Sequence, residues 1–252
     1  MREEKHKCGE YLRVHQFPVR KKAKGKRGKR FQVTTAIQAN LNKKNAFHRM
    51  ADLFHTNFTA DDLAVRFSYT DEEMPQTIDD AQRNMQNYLR RVKRRYKTEI
   101  RYIYITEQAK SGRIHHHLVI SGANFTRDEL EEMWKLGHCN SRRLQFNEEG
   151  LIGLAIYFVK EPAKKEESKI IRRWNSSKNL KQPTVTVNDY RISAKTARKI
   201  HDNPNDREYI ESLYPGYSLA RCESKEFDAG IFITIYLYKK DAKFYRKIRG
   251  ST

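Results

Sequence analysis

Three consecutive histidines stand in the run Ile114 to Ser121 (IHHHLVIS), which is otherwise apolar and β-prone. In a strand, successive side chains point to opposite faces, so His115 and His117 share one face and His116 takes the other. Ile100 to Thr106 (IRYIYIT) is a second β-prone run, and Lys110-Ser111-Gly112 lies between the two. A loop of this length with glycine last fits a type I turn followed by a left-handed residue, a conformation glycine adopts without steric penalty. The resulting hairpin sets Ala109 opposite Arg113, Glu107 opposite His115 and Ile105 opposite His117. A carboxylate and two imidazoles then converge from one face, which is a facial site for a divalent cation with coordination positions left open. With no thiolate in the set, Mg²⁺ or Mn²⁺ fits, and zinc is also compatible. Adjacent histidines alone are more often incidental; the carboxylate at the matching register is what favours a metal.

Farther along, Tyr157 and Lys160 stand one helical turn apart in Leu151 to Glu161 (LIGLAIYFVKE), a run expected to be a helix that stops before Pro162. A tyrosine among apolar residues is usually a core residue. Beside a metal site it can be a nucleophile: a cation polarising a phosphate and a nearby ammonium both lower the barrier for attack by a phenol. A covalent phosphotyrosyl intermediate would conserve the energy of the broken strand for rejoining.

The elements that must position these groups are legible around them. Leu63 to Tyr69 (LAVRFSY) alternates Val65, Phe67 and Tyr69 with Arg66 and Ser68, as a half-buried strand does. Thr77 and Asp80 form a helix start, followed by Ile78, Ala81, Met85, Leu89, Val92 and Tyr96 at helical spacing. The last turns of that helix carry Arg90, Arg91, Lys93, Arg94, Arg95 and Lys97, a basic face suited to the helix C-terminus and to phosphates alike. Thr126 and Glu129 cap a further helix ended by Gly137, and Arg142 to Phe146 reads as a short strand. Gly230 to Tyr238 (GIFITIYLY) is strongly β-prone and is expected to return to the same sheet. The pattern is α+β: a central antiparallel sheet with helices packed on it.

Composition narrows the partner. The chain has 252 residues with 51 Lys+Arg against 31 Asp+Glu, a formal charge of +20, which points to a polyanion. No run of about 18 apolar residues is present to span a bilayer, and the start MREEK has no apolar stretch behind it to act as a signal peptide, so a cytoplasmic protein with no membrane partner is expected. Cys8, Cys139 and Cys222 lack Cys-x-x-Cys spacing and read as reduced thiols. Arg20, Lys21, Lys22, Lys24, Lys26, Arg27, Lys29 and Arg30 form a basic arm that repels itself and suits phosphate contact. The expected organisation is a basic, partly flexible N-terminal extension over 1–58, the main domain over 59–240 and a basic tail over 241–252. Apolar residues are 38% of the chain, enough for one real core and lean for two.

Taken in order, AVRFSYTDE with the helix behind it, YIYITEQAKSGRIHHHLVI, and IYFVK with its Tyr-x-x-Lys spacing resemble the HUH endonucleases. Among these the chain is most similar to rolling-circle replication initiators of bacterial plasmids and phages, including the filamentous-phage gene II proteins. The resemblance spans about Leu63 to Pro183, and IIRRWNSSKNLKQP is similar to the basic segment that follows the tyrosine helix in this group. It implies an HUH or RRM-like palm, metal binding by His115, His117 and Glu107, Tyr157 as nucleophile and Lys160 as the lysine that orients or activates. Departures are His116 in place of an aliphatic residue, Ile114 where proline is common, and Glu161 where a second tyrosine would stand. A single-tyrosine enzyme is thereby implied, with Glu161 a candidate for activating water.

The function expected is rolling-circle initiation: metal-dependent nicking of single-stranded DNA through a 5′-phosphotyrosine, with strand transfer and a 3′-hydroxyl left to prime synthesis. The substrate is single-stranded or hairpin origin DNA, and Arg172, Arg173, Trp174 and Lys178 suit a strand leading into the site. With no Gly-x-x-x-x-Gly-Lys-Ser/Thr loop, the protein is expected to depend on a host helicase, with host polymerase and single-strand-binding protein as further partners. A transposase or relaxase would share the same site. A non-catalytic DNA-binding regulator, with its histidines structural, would bind without cutting.

Overall fold

The computed structural model describes residues 1–19, 36–122, 125–159 and 174–242. The chain divides into two compact units, one of Met1–Thr56, Phe146–Ile152 and Gln182–Thr252, the other of Asn57–Gln145 and Gly153–Lys181. It opens with β1 (Arg2–Cys8), β2 (Tyr11–Phe17) and α1 (Ala36–Asn57). The second unit follows: β3 (Leu63–Ser68), α2 (Ile78–Tyr96), β4 (Tyr102–Gln108), β5 (Ile114–Ile120), α3 (Arg127–Glu132), β6 (Cys139–Arg143), α4 (Ile152–Val159) and β7 (Asn175–Ser176). The first unit is then completed by β8 (Thr184–Asn188), α5 (Ala194–Asp202), α6 (Arg207–Leu213), β9 (Tyr217–Phe227) and β10 (Gly230–Lys239). The expected α+β class is borne out, with two five-stranded antiparallel sheets.

In the second unit the sheet order is β6-β3-β5-β4-β7. Its two faces follow from strand alternation. Leu63, Val65 and Phe67 of β3, Tyr104 of β4, and Leu118 and Ile120 of β5 form one buried cluster with Ala81, Met85, Tyr88, Leu89 and Val92 of α2 and with Leu130 and Trp134. The α2 stripe is the expected one, joined by Tyr88, whose hydroxyl donates to Leu130 O at 2.9 Å. Thr77 caps the helix by accepting the Asp80 N–H at 3.1 Å, and Thr126 and Glu129 close a full capping box on α3. The opposite face carries Ala64, Arg66 and Ser68, Ile103, Ile105 and Glu107, and His115, His117 and Val119, all in cross-strand register.

Two expectations are corrected here. The strand expected at Arg142 to Phe146 lies earlier, at Cys139–Arg143, because β6 is an edge strand whose pairing with β3 does not depend on apolar residues. The final strand β10 does not join the histidine strand's sheet: it pairs with β2 and β9 in the order β8-β1-β2-β10-β9. High β-propensity marked it as a strand without naming its neighbours.

That other sheet has its own core. Leu12 and Val14 pair across to Leu237 and Ile235 and pack with Ala197, Ile200 and Ile210 of α5 and α6. The alternate face of β2 presents Arg13, which makes a bidentate pair with Asp52 of α1 at 2.9 and 2.6 Å. Residues 2–17, inside the stretch expected as an N-terminal extension, are thus strands of this sheet. The three cysteines are unpaired, as expected.

Candidate metal and nucleophile site

The β4–β5 hairpin has the register read from the sequence: Glu107 faces His115 and Ile105 faces His117. Ala109 N–H donates to Arg113 O at 2.8 Å, Gly112 N–H to Ala109 O at 2.9 Å, and Gly112 has φ +88°, the left-handed conformation the loop requires. The imidazoles of His115 and His117 and the Glu107 carboxylate offer ligand atoms that all lie within 4.8 Å of one another. Glu107 Oε2 is 3.1 Å from His115 Nε2 and 3.5 Å from His117 Nε2. This donor set fits a divalent metal ion.

α4 brings Tyr157 to the same place. Its hydroxyl donates to Glu107 Oε2 at 2.7 Å and lies 2.6 Å from His117 Nε2, with the phenol ring edge-on to the His117 ring. The protonation states suit ligation. Burial pushes the Glu107 carboxyl up, but hydrogen bonds from His115, His117 and Tyr157 outweigh it and hold the group well below the ordinary carboxylate range. Burial lowers His117, more than Glu107 raises it, which keeps a ring nitrogen lone pair available. Tyr157 is raised above its usual value, first by burial and then by Glu107, while the nearby charge of Arg66 opposes the shift. Without a cation, therefore, the phenol keeps its proton.

His116 faces away from this cluster, as alternation requires. It is fully buried, with Nε2 2.8 Å from Tyr69 Oη, Nδ1 2.9 Å from Thr106 Oγ1, and Trp134 edge-on beside it. Burial lowers it to about 3, so it is a neutral core residue.

Of the other residues singled out from sequence, Trp174 is half-buried and Lys178 exposed, flanking β7, which pairs with Ile103 and Tyr104 at the edge of the sheet. Lys160, Glu161, Arg172, Arg173 and the arm of Arg20, Lys21, Lys22, Lys24, Lys26, Arg27, Lys29 and Arg30 lie outside the described residues. Sequence reasoning missed Arg66. It sits directly opposite His117 on β3, exposed on the site face. Its side of the strand was visible from alternation, but the pairing of β3 with β5 was not.

An antiparallel sheet that presents two imidazoles and a carboxylate, with a tyrosine delivered from a helix onto them, defines a candidate metal centre with a phenol hydroxyl against its ligand atoms. Residues 62–167 match the family model of replication-associated proteins of the ORF2 and gene II protein type. Over that stretch, which takes in β3 through α4 and all four clustered residues, the chain is similar to replication-associated proteins; the match ends before the basic segment at 170–183. Comparison with curated proteins and with solved structures gives no match. Among the described residues no helix is long and apolar enough to cross a membrane.

Proposed function

We propose that the protein is a single-tyrosine HUH nickase that initiates rolling-circle replication of a plasmid or phage. The observation that carries this is the position of the Tyr157 hydroxyl, within 2.7 Å of Glu107 Oε2 and 2.6 Å of His117 Nε2, inside a segment similar to replication-associated proteins. Glu107, His115 and His117 would hold Mg²⁺ or Mn²⁺, which supplies charge neutralisation on the scissile phosphate. Tyr157 Oη attacks phosphorus in line; the P–Oη bond forms, the P–O3′ bond breaks, and the departing 3′ oxygen takes a proton from water. The phenolic proton passes to solvent, replacing the one the 3′ oxygen takes from water. Lys160, next in the chain after α4, supplies positive charge by resemblance, and Glu161 is the candidate for activating water when the intermediate is closed. Single-stranded or hairpin origin DNA is the substrate because the tyrosine must reach an unpaired phosphate. Host helicase, polymerase and single-strand-binding protein complete replication from the 3′-hydroxyl.

The test incubates the protein with Mn²⁺ and single-stranded origin oligonucleotides and looks for an adduct that survives denaturation. Wild type forms it, Tyr157→Phe does not, and chelation abolishes it. An undiminished adduct in Tyr157→Phe removes Tyr157 from the mechanism; binding with no adduct in wild type leaves a non-catalytic regulator.

A further inference from the structure

The site face of the sheet continues beyond the metal cluster toward its β6 edge. Arg66 lies opposite His117 on one side and opposite Asn140 on the other, and Ala64, two residues along β3, lies opposite Arg142. Arg66, Asn140 and Arg142 are therefore on the same face as His115 and His117, and all three are exposed. Neighbouring strands are about 4.8 Å apart, so a guanidinium on β3 reaches a group bound at His117. The positive charge of Arg66 is already felt by both His117 and Tyr157.

Unlike Arg113, Arg127 and Arg143 of this unit, neither Arg66 nor Arg142 makes a side-chain hydrogen bond or ion pair among the described residues. Arg113 is held by Asp71 and by Tyr69 O, Arg127 by Ser141 and Glu131, and Arg143 by Asp61 O. Two unengaged guanidiniums with a side-chain amide between them, beside a phosphoryl-transfer centre, match the fork geometry that phosphate oxygens accept.

We propose that Arg66, Asn140 and Arg142 form a phosphate track that leads the substrate strand from the metal cluster over β3 to the β6 edge. Arg66 takes a non-bridging oxygen of the scissile phosphate, and Arg142 takes a phosphate farther along the strand. The inference rests on the nickase reading for the identity of that scissile phosphate. It places the strand across the sheet face, with Trp174 and Lys178 at the other edge.

The adduct assay separates the two roles. Arg66→Gln lowers the rate at saturating oligonucleotide about 100-fold, the size of losing one donor to a developing oxyanion, and Arg66→Lys recovers part of it. Arg142→Gln leaves the saturated rate alone, raises the half-saturating concentration about tenfold and reduces the salt slope of binding by about 0.7, the loss of one single-strand phosphate contact. Arg83→Gln, exposed on α2 beside Asp80 and across the sheet from the track, removes the same charge and changes both within about twofold. Arg66→Gln at the wild-type saturated rate, or Arg142→Gln indistinguishable from Arg83→Gln, overturns the track. Should wild type form no adduct, the nickase reading fails by itself. Anisotropy of a labelled single strand in chelator then still decides the track, through the same comparison of Arg142→Gln with Arg83→Gln.

Discussion

The three histidines are chemically alike and stand in two different solvents. His115 and His117 are ligand candidates at a half-open face, whereas His116 is locked between Tyr69 and Thr106 behind the strand. Substituting them separates function from stability. His117→Ala is expected to abolish Mn²⁺ binding measured by titration calorimetry while urea unfolding moves little. His116→Leu is expected to leave metal affinity within a few-fold and to cost about 1–3 kcal/mol in the same unfolding experiment, because it removes the buried partners of the Tyr69 and Thr106 hydroxyls. Normal metal affinity in His117→Ala would remove that residue from the ligand set. This division was readable from the sequence, since period two alone assigns the faces. Arg66 was not, because its relevance depends on which strand lies beside which.

At the scale of elements, turn and cap chemistry decides how well the face is held. Gly112 has φ +88° with open space around it, so Gly112→Ala is expected to cost about 1 kcal/mol through backbone strain alone. Gly137 has φ +150°, and a Cβ there would meet the backbone at and just past the end of β3, Ser68 O and, at 2.7 Å, Thr70 N. Gly137→Ala is therefore expected to cost more than Gly112→Ala and, by pushing on the end of β3, to lower adduct yield as well; equal unfolding midpoints for the two variants would contradict this. Thr77→Ala should cost about 1 kcal/mol through loss of the α2 cap. The hairpin, α2 and α3 were legible because their signals are local: a glycine-terminated loop, capping residues, a clean apolar stripe. β1 (REEKHKC) and β6 (CNSRR) were not, because polar strands acquire their identity from the strands they pair with.

For the molecule as a whole, acid should be the weak direction. His15 and His48 are lowered to about 4 and about 3, mainly by burial and then by Arg13 and Lys44, with His6 also lowering His15 and Asp52 partly offsetting the shift of His48. His55 is lowered to about 4 by burial, and its Nε2 accepts the Leu151 N–H at 2.9 Å, a bond only the neutral ring can make. With folded values below the unfolded one of about 6.5, the unfolded chain takes up protons first, so stability falls as pH drops from about 6.5 toward 4. Asp52 adds to this lower down: burial raises it, but Arg13 and His6 hold it far below the usual range, and its contribution is lost as pH falls below about 4. Urea midpoints should be flat from pH 8 to 7 and decline at pH 5, and His48→Gln should flatten that decline. A midpoint unchanged between pH 8 and 5 would contradict it. The first unit's fold, with a core of its own, was the least legible part at this scale, because composition alone cannot tell one core of a given size from two.

The run of three histidines also limits how the hairpin can fail. Were β5 to slide by a single position against its neighbours, the outward face would show His116 flanked by Ile114 and Leu118, leaving one imidazole and no chelate, while two rings that need water would be driven inward. A frame error of one residue would thus disarm the protein and unseat its interior together, so the arrangement admits no half-active slipped form.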